Sequence, residues 1–391
     1  MKTEIQNLAE KYFAEIRSIR RHLHQHPELS FEEYNTSAFV AEKLQAFGIP
    51  FTSGIAKTGI IGIIQGKAPG KTIALRADMD ALPITEANEI EYKSQNVGVM
   101  HACGHDVHTA CILGAAKILF ALKDTFNGTI KLVFQPSEER LPGGANEMIN
   151  AGVLENPQVE YMFGQHVFTP YKVGTLAFCP GKMMASTDEL YITIHGKGGH
   201  AAYPHQLIDP VVISAQIISA LQQLVSRSTA PVDPAVISIG KVIANGATNV
   251  IPDSVYMEGT LRAMDADVRS MLQKKIRTTI SGIAEAMGGK AEVDIQIGYP
   301  PLVNDTALTE RSIANAKEYL GAENVFIAEP RMGAEDFAFY SQKVPTCFYR
   351  LGTGNPDKGI TSNIHTPTFN IDEDAIKIGM GFMAFNALKE L

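Results

Sequence analysis

MHACGHDVHTA, residues 100–110, places three side chains of ligand type at every second position. In an extended chain that spacing sends His101, Cys103 and His105 to one side. Asp106 stands where a helix N-cap would, ahead of an apolar, alanine-rich run: Ala110, Ile112, Leu113, Ala116, Ile118, Leu119 and Leu122. Such a run predicts a buried helix entered at Asp106 or Val107. A thiol and imidazoles then lie on a short loop at the mouth of a helix. Soft sulfur beside imidazole suits zinc or a similar transition ion. The same residue types serve a cysteine nucleophile with a histidine base, and a small core cysteine among unrelated histidines needs neither reading. The stretch alone leaves all three open.

The segments around it narrow the choice. Four short apolar runs each end in polar residues: GIIGII (59–64), KTIAL (71–75), TIKLVF (129–134) and VEYMF (159–163). The second runs into Arg76, Asp78 and Asp80, the third into Glu138 and Glu139, the fourth into His166. Helices alternate with these strands: 3–25, 36–47 and the run after Asp106. That order predicts an α/β sheet, and such sheets bind ligands outside the carboxyl ends of their strands. Acids and imidazoles from separate segments thus gather at one sheet edge, which favours a metal site over chance clustering. His22, His24 and His26 read as packing or solvated residues.

From about Gly181 the pattern changes. ELYITIH (189–195) alternates as a strand, 209–227 is an amphipathic helix, 235–242 and 254–262 are strands, 265–287 is a long helix, and 291–297 is a strand. The order β-α-β-β-α-β is that of a ferredoxin-like unit. The expected division is therefore a first domain of residues 1–181 and 293–391, interrupted by an inserted α+β domain of residues 182–292. The returning chain predicts a helix from Asp305, a strand at 346–351, the loop NIHTPTF (363–369) with His365, and a final helix from Asp372.

The composition agrees with a globular protein of 391 residues. Hydrophobic residues make up 45% and charged residues 19%, as expected of a soluble chain. A net charge of −8 with no basic run argues against a nucleic-acid partner. Four cysteines without a CxxC pair fit a reducing, cytoplasmic setting. Residues 1–20 lack the apolar core of a signal peptide. The longest apolar stretch, 211–225, is broken by glutamines and too short to span a membrane.

Several stretches together resemble the aminoacylase/carboxypeptidase family of dinuclear metallohydrolases, in its hippurate hydrolase and auxin-conjugate hydrolase branch. They are RRHLHQHPELSFEE (20–33), ALRADMDALPI (74–84), MHACGHDVHTA (100–110), FQPSEE (134–139), GKGGHAAYPH (196–205), TNVIPD (248–253), GTLRA (259–263), GAEDFAFY (333–340) and IHTP (364–367). The resemblance implies a zinc-peptidase-like catalytic domain, with a mixed sheet flanked by helices, carrying an inserted lid and dimerisation domain. It implies Cys103, His105, Glu139, His166 and His365 as metal ligands for two divalent ions per subunit. Zinc or manganese is expected, with nickel and cobalt as alternatives. It makes Glu138 the general base and Asp80 the carboxylate that orients the metal site. Asp78 stands where sister branches carry a further histidine ligand.

Beyond the ligands, Arg262 is the candidate for gripping a substrate carboxylate, since a guanidinium does so bidentately. Asn249 adds a hydrogen bond. His200, in a glycine-rich segment of the inserted domain, is the candidate for stabilising an oxyanion, reaching across a homodimer or larger homo-oligomer as the resemblance implies. Asp336 is expected to cap the helix that follows it, and the role of Glu335 is open. The expected reaction is hydrolysis of the amide in an N-acyl amino acid or dipeptide-like conjugate. A biosynthetic deacylase of the N-acetyl-diaminopimelate type, a dipeptidase, and a catalytically silent binding protein are the alternatives.

Overall fold

The apolar runs on either side of the ligand loop share one sheet. The protein is described by a computed structural model covering residues 1–391. Its larger sheet has eight strands in the order Phe51–Ile55, Gly59–Gln65, Thr129–Gln135, Thr72–Asp78, Tyr161–Lys172, Thr346–Gly354, Leu176–Phe178 and Val325–Ile327. The central strands 129–135, 72–78, 161–172 and 346–354 run parallel, and the edges add antiparallel pairs, so the sheet is mixed. Strand Thr72–Asp78 is buried along its whole length, as expected for a parallel strand covered on both faces.

The helix after the ligand loop runs His105–Ala121 and is buried almost all round. An apolar surface on every side leaves it only the interior of the domain. It packs against the helices Lys2–Gln25 and Ala375–Glu390. Its N-cap is Gly104, at φ 86°, not Asp106. A Cβ at residue 104 would collide with the Val167 side chain, and the left-handed conformation also favours glycine. Asp106 instead lies inside the first turn, where it accepts from Arg20 Nε at 2.8 Å and pairs with His24 Nδ1 at 2.8 Å. Burial opposes ionisation of Asp106, but Arg20 and His24 hold its carboxyl well below the usual range. The other nitrogen of His24 lies 3.2 Å from Glu86, so His24 is a satisfied core histidine.

The chain divides into two compact units. One comprises Met1–Gly181, Val303–Glu329 and Asp336–Leu391; the other comprises Lys182–Leu302 and Pro330–Glu335. The boundary expected at 292 is too early. Strand Lys290–Ile297 pairs along its full length with Asp188–His195, which keeps it in the second unit. That unit has a four-stranded antiparallel sheet in the order Ala235–Ile243, Ser254–Ala263, Asp188–His195, Lys290–Ile297. The helices Pro210–Ser228 and Ala266–Ala286 bury one face of it through Leu190, Ile192, Ile194, Ile217, Leu221 and Ile276, among others. Strand order and connections are those of the ferredoxin-like motif. No helix of the chain is long and apolar enough to cross a membrane.

Candidate metal centre

Asp80 organises the site. Strand Thr72–Asp78 delivers it to the sheet edge, and it is fully buried. Its Oδ1 accepts from the Glu138 N–H at 2.9 Å and lies 3.2 Å from His105 Nδ1. Its Oδ2 accepts from the Glu139 N–H at 3.0 Å and from the Ser30 hydroxyl at 2.6 Å. One carboxylate therefore fixes the backbone of both glutamates and the ring of His105. The preceding residue, Ser137, adopts φ 48°, an uncommon conformation for a non-glycine residue. Its N–H is accepted by Glu33 Oε1 at 2.9 Å, and Glu33 Oε2 accepts from Thr58 at 2.7 Å. Three successive N–H groups at residues 137–139 thus end on two buried carboxylates.

The residues expected as ligands converge around this frame. Cys103, His105 and His166 present ligand atoms within 4.8 Å of one another, as do Cys103, Glu139 and His365, and as do His105, Glu138 and Glu139. Cys103 Sγ lies 3.4 Å from His166 Nε2. His365, exposed and at φ 61°, donates its backbone N–H to Ala102 O at 2.8 Å, which ties its loop to the ligand loop. Its Nε2 comes within 3.1 Å of Glu139 Oε1, without the alignment of a hydrogen bond. His166 does not end its strand as expected. The strand continues to Lys172, but its partner Thr72–Asp78 pairs with it only as far as Gly164. His166 therefore lies just past the paired part on that side. His101 does not join the cluster; it is buried with neither ring nitrogen hydrogen-bonded.

The charge balance fits a cation. His105 Nε2 is buried without a hydrogen-bond partner, 3.7 Å from Asp78 and 4.0 Å from Glu138. Burial would lower the His105 imidazole, but Asp78 and Asp80 outweigh it and raise it to about 10. Burial, then His108, push His166 well below its ordinary value and keep it neutral. Burial, then Glu139 and Glu138, push the Cys103 thiol well above its ordinary range. Without a cation such a cysteine stays protonated, which removes it as a nucleophile. A divalent ion reverses this balance, because it binds thiolate, neutral imidazole and carboxylate together.

The residues expected to meet substrate lie on the second unit. Arg262 is half-buried at a cavity of about 220 Å³ lined also by Thr187, Glu189, Tyr191, Glu258 and Thr260. Burial lowers its pKa, opposed by Asp188 and Glu189. His200 is exposed, pairs with Val250, and accepts the Ala202 N–H on Nδ1 at 3.2 Å. Asn249 is exposed, and its carbonyl accepts the Ala201 N–H at 3.0 Å.

Asp336 does not cap its own helix, Ala338–Ser341, which has no side-chain cap. It accepts from Arg76 at 2.6 Å, from Gln135 at 2.7 Å and from the Ala145 N–H at 2.9 Å, near the start of the helix Gly144–Asn150. Ser30, Glu33 and His108 were not singled out from sequence. For Ser30 and Glu33 the signal was their place in RRHLHQHPELSFEE (20–33), a polar stretch that carries the resemblance without naming a task for either residue.

Comparison with known proteins agrees with this geometry. Residues 74–388 match Peptidase family M20/M25/M40. The chain is 43% identical over 374 residues to thermostable carboxypeptidase 2 of Saccharolobus solfataricus, covering 95% of this chain and 94% of that one. It is 45% identical over 303 residues to an N-acyl-L-amino acid amidohydrolase of Geobacillus stearothermophilus, covering 78% and 81%. The crystal structure of the Bacillus subtilis YxeP protein, described as a dinuclear metal binding peptidase, superposes with a TM-score of 0.85 at 36% identity over 98% of this chain and 99% of that one. The family match spans residues 74–388, and the identity to the carboxypeptidase and the shared fold extend over 95% and 98% of the chain, so the chain belongs to the M20/M25/M40 peptidase family.

Proposed function

We propose that the protein is a metal-dependent amidohydrolase that cleaves N-acyl amino acids and related small conjugates into a carboxylic acid and an amino acid. One observation carries the reading. Asp80 pins two adjacent glutamates by their N–H groups beside a cluster of sulfur, imidazole and carboxylate ligands. The similarity to an N-acyl-L-amino acid amidohydrolase supports the substrate class.

Cys103, His105, Glu139, His166 and His365 would hold two divalent ions, which supply Lewis-acid polarisation of the scissile carbonyl and a more acidic attacking water. Thiolate and imidazole favour zinc, while the carboxylates suit manganese. Glu138 takes the proton that the attacking water loses and passes it to the leaving amine nitrogen. Asp80 keeps Glu138 and His105 in register for that transfer. Arg262 grips the free carboxylate of the substrate, with Asn249 beside it. His200 stabilises the oxyanion from the partner subunit of a homodimer. The four cysteines, all buried and unpaired, suit a reducing cytoplasm.

The test is a panel of N-acetyl, N-benzoyl and indole-acetyl amino acids together with dipeptides, assayed before and after chelation. The expected result is hydrolysis of N-acyl amino acids that disappears on metal removal and returns with zinc or manganese. Cleavage confined to dipeptides would replace the substrate class by that of a peptidase. Activity that survives complete metal removal would overturn the mechanism.

A further inference from the structure

Two buried residues beside the ligand cluster have no part in the reaction described above: Asp78 and His108. The hydrogen bonds of His108 assign its ring. The Val167 N–H can only donate, and it reaches His108 Nε2 at 2.9 Å, so that nitrogen is an acceptor. The proton of the neutral ring is then on Nδ1, which donates to Asp78 Oδ1 at 2.6 Å. Asp78 is held in turn, because its Oδ2 accepts from Arg76 Nη1 at 2.7 Å and its carbonyl accepts from the Thr109 hydroxyl at 2.8 Å. On the other side, the Val167 carbonyl accepts from His166 Nδ1 at 2.7 Å, which leaves His166 Nε2 facing Cys103. The rings of His108 and His166 meet edge to face, with centroids 4.7 Å apart.

The sheet explains why this link is needed. Strand Tyr161–Lys172 is paired on one side with Thr346–Gly354 past Val167 to Phe168 and again at Lys172, but its pairing to Thr72–Asp78 on the other side stops at Gly164. Backbone at Val167 has no strand partner there, and His108 takes that place. Asp78, His105 and His108 also come close enough to suggest a ligand set of their own. Their hydrogen bonds argue otherwise, since both oxygens of Asp78 and both nitrogens of His108 are already engaged.

We propose that Asp78 and His108 are positioning residues that fix the backbone of Val167, and through its carbonyl the ring orientation and tautomer of the metal-binding His166. A ligating histidine commonly donates its second N–H to a carbonyl. Here that carbonyl belongs to the next residue in the chain, and an Asp78–His108 relay holds it still. The inference rests on the reading of His166 as a ligand.

Two variants separate the two hydrogen bonds of His108. His108→Gln places an acceptor near the former Nε2, whereas His108→Asn keeps a donor to Asp78 and leaves the Val167 N–H unmet. Zinc affinity is measured by competition for each of two equivalents, with thermal unfolding of the metal-free proteins as the control for fold. His108→Asn should weaken one equivalent by about 10- to 100-fold and leave the other in place, and His108→Gln, which keeps the acceptor for Val167 but not the bond to Asp78, should weaken the same equivalent by a smaller factor. Equal affinity of wild type and His108→Asn for both equivalents would overturn the inference, and so would equal loss of both equivalents in the two variants. A wild-type protein that binds fewer than two ions would overturn the ligand reading and the inference with it. Nitrogen NMR of the wild-type imidazoles gives a check that needs no variant to fold. His108 should carry its proton on Nδ1 with and without zinc, and an Nε2–H tautomer in either state contradicts the relay.

Discussion

Asp80 accepts four hydrogen bonds, from Ser30, His105, Glu138 and Glu139, and is shielded from water. The ring of His200, on the second unit, is exposed and accepts one, from the backbone two residues on. Arg262 stands between these extremes, half-buried and open to a cavity of about 220 Å³. The residues assigned to reaction geometry are locked by buried, charge-assisted bonds before any substrate arrives. The residues assigned to substrate or partner are left with capacity to spare. The first group should therefore fail through geometry and metal content, the second through lost contact at an intact metal centre.

The sharpest break of this contrast mixes one residue from each region. His200→Ala and Glu138→Ala proteins should each be nearly inactive. Combined and allowed to exchange subunits, they should recover part of the wild-type rate, because one site of each heterodimer holds both groups. Confirmed heterodimers without recovery would place His200 in its own subunit's site or outside catalysis.

Asp80→Asn comes next. An amide nitrogen cannot accept, so the bonds made at one of the two oxygens are lost. Metal affinity should fall by about 10- to 100-fold, measured by competition with a chelating dye. Undiminished affinity would mean that His105 does not need Asp80 to orient it.

Arg262→Lys should have the smallest effect. A charge-assisted hydrogen bond contributes about 1.5–3 kcal/mol, so kcat/KM on free-acid substrates should fall by about tenfold or more. Methyl esters of the same substrates should be nearly unaffected, and metal content should not change. Equal loss on acids and esters would remove Arg262 from carboxylate binding.

Much of the ligand cluster was legible because its chemistry is concentrated in short segments. Cys103 and His105 flank one glycine just ahead of an apolar run that marks a helix, and the adjacent Glu138 and Glu139 follow an apolar run that marks a strand. The second unit's alternating strands and amphipathic helices were equally plain, although its end was placed ten residues early, inside the region from strand 290–297 to Leu302. Hydrogen bonds between distant segments were not legible. Ser30 and Asp80 are 50 positions apart, Arg20 and Asp106 are 86 apart, and Arg76 and Asp336 are 260 apart. Asp106 and Asp336 were both assigned to nearby helix caps, because local sequence offers no rival partner for a buried carboxylate. Strand Phe51–Ile55 was missed for a related reason. It is an edge strand with its central three residues exposed, so it carries no alternation of apolar and polar residues.

The most direct test of the account is the Glu138→Gln protein, read for metal content and turnover in the same preparation. Glutamine keeps the size and the backbone anchor to Asp80 but cannot accept the water's proton. Two divalent ions per chain should remain while kcat on N-acyl amino acids falls by about 10²- to 10⁴-fold. Near-native turnover in that protein would contradict Glu138 as the base, and loss of the metal along with turnover would make it a ligand instead.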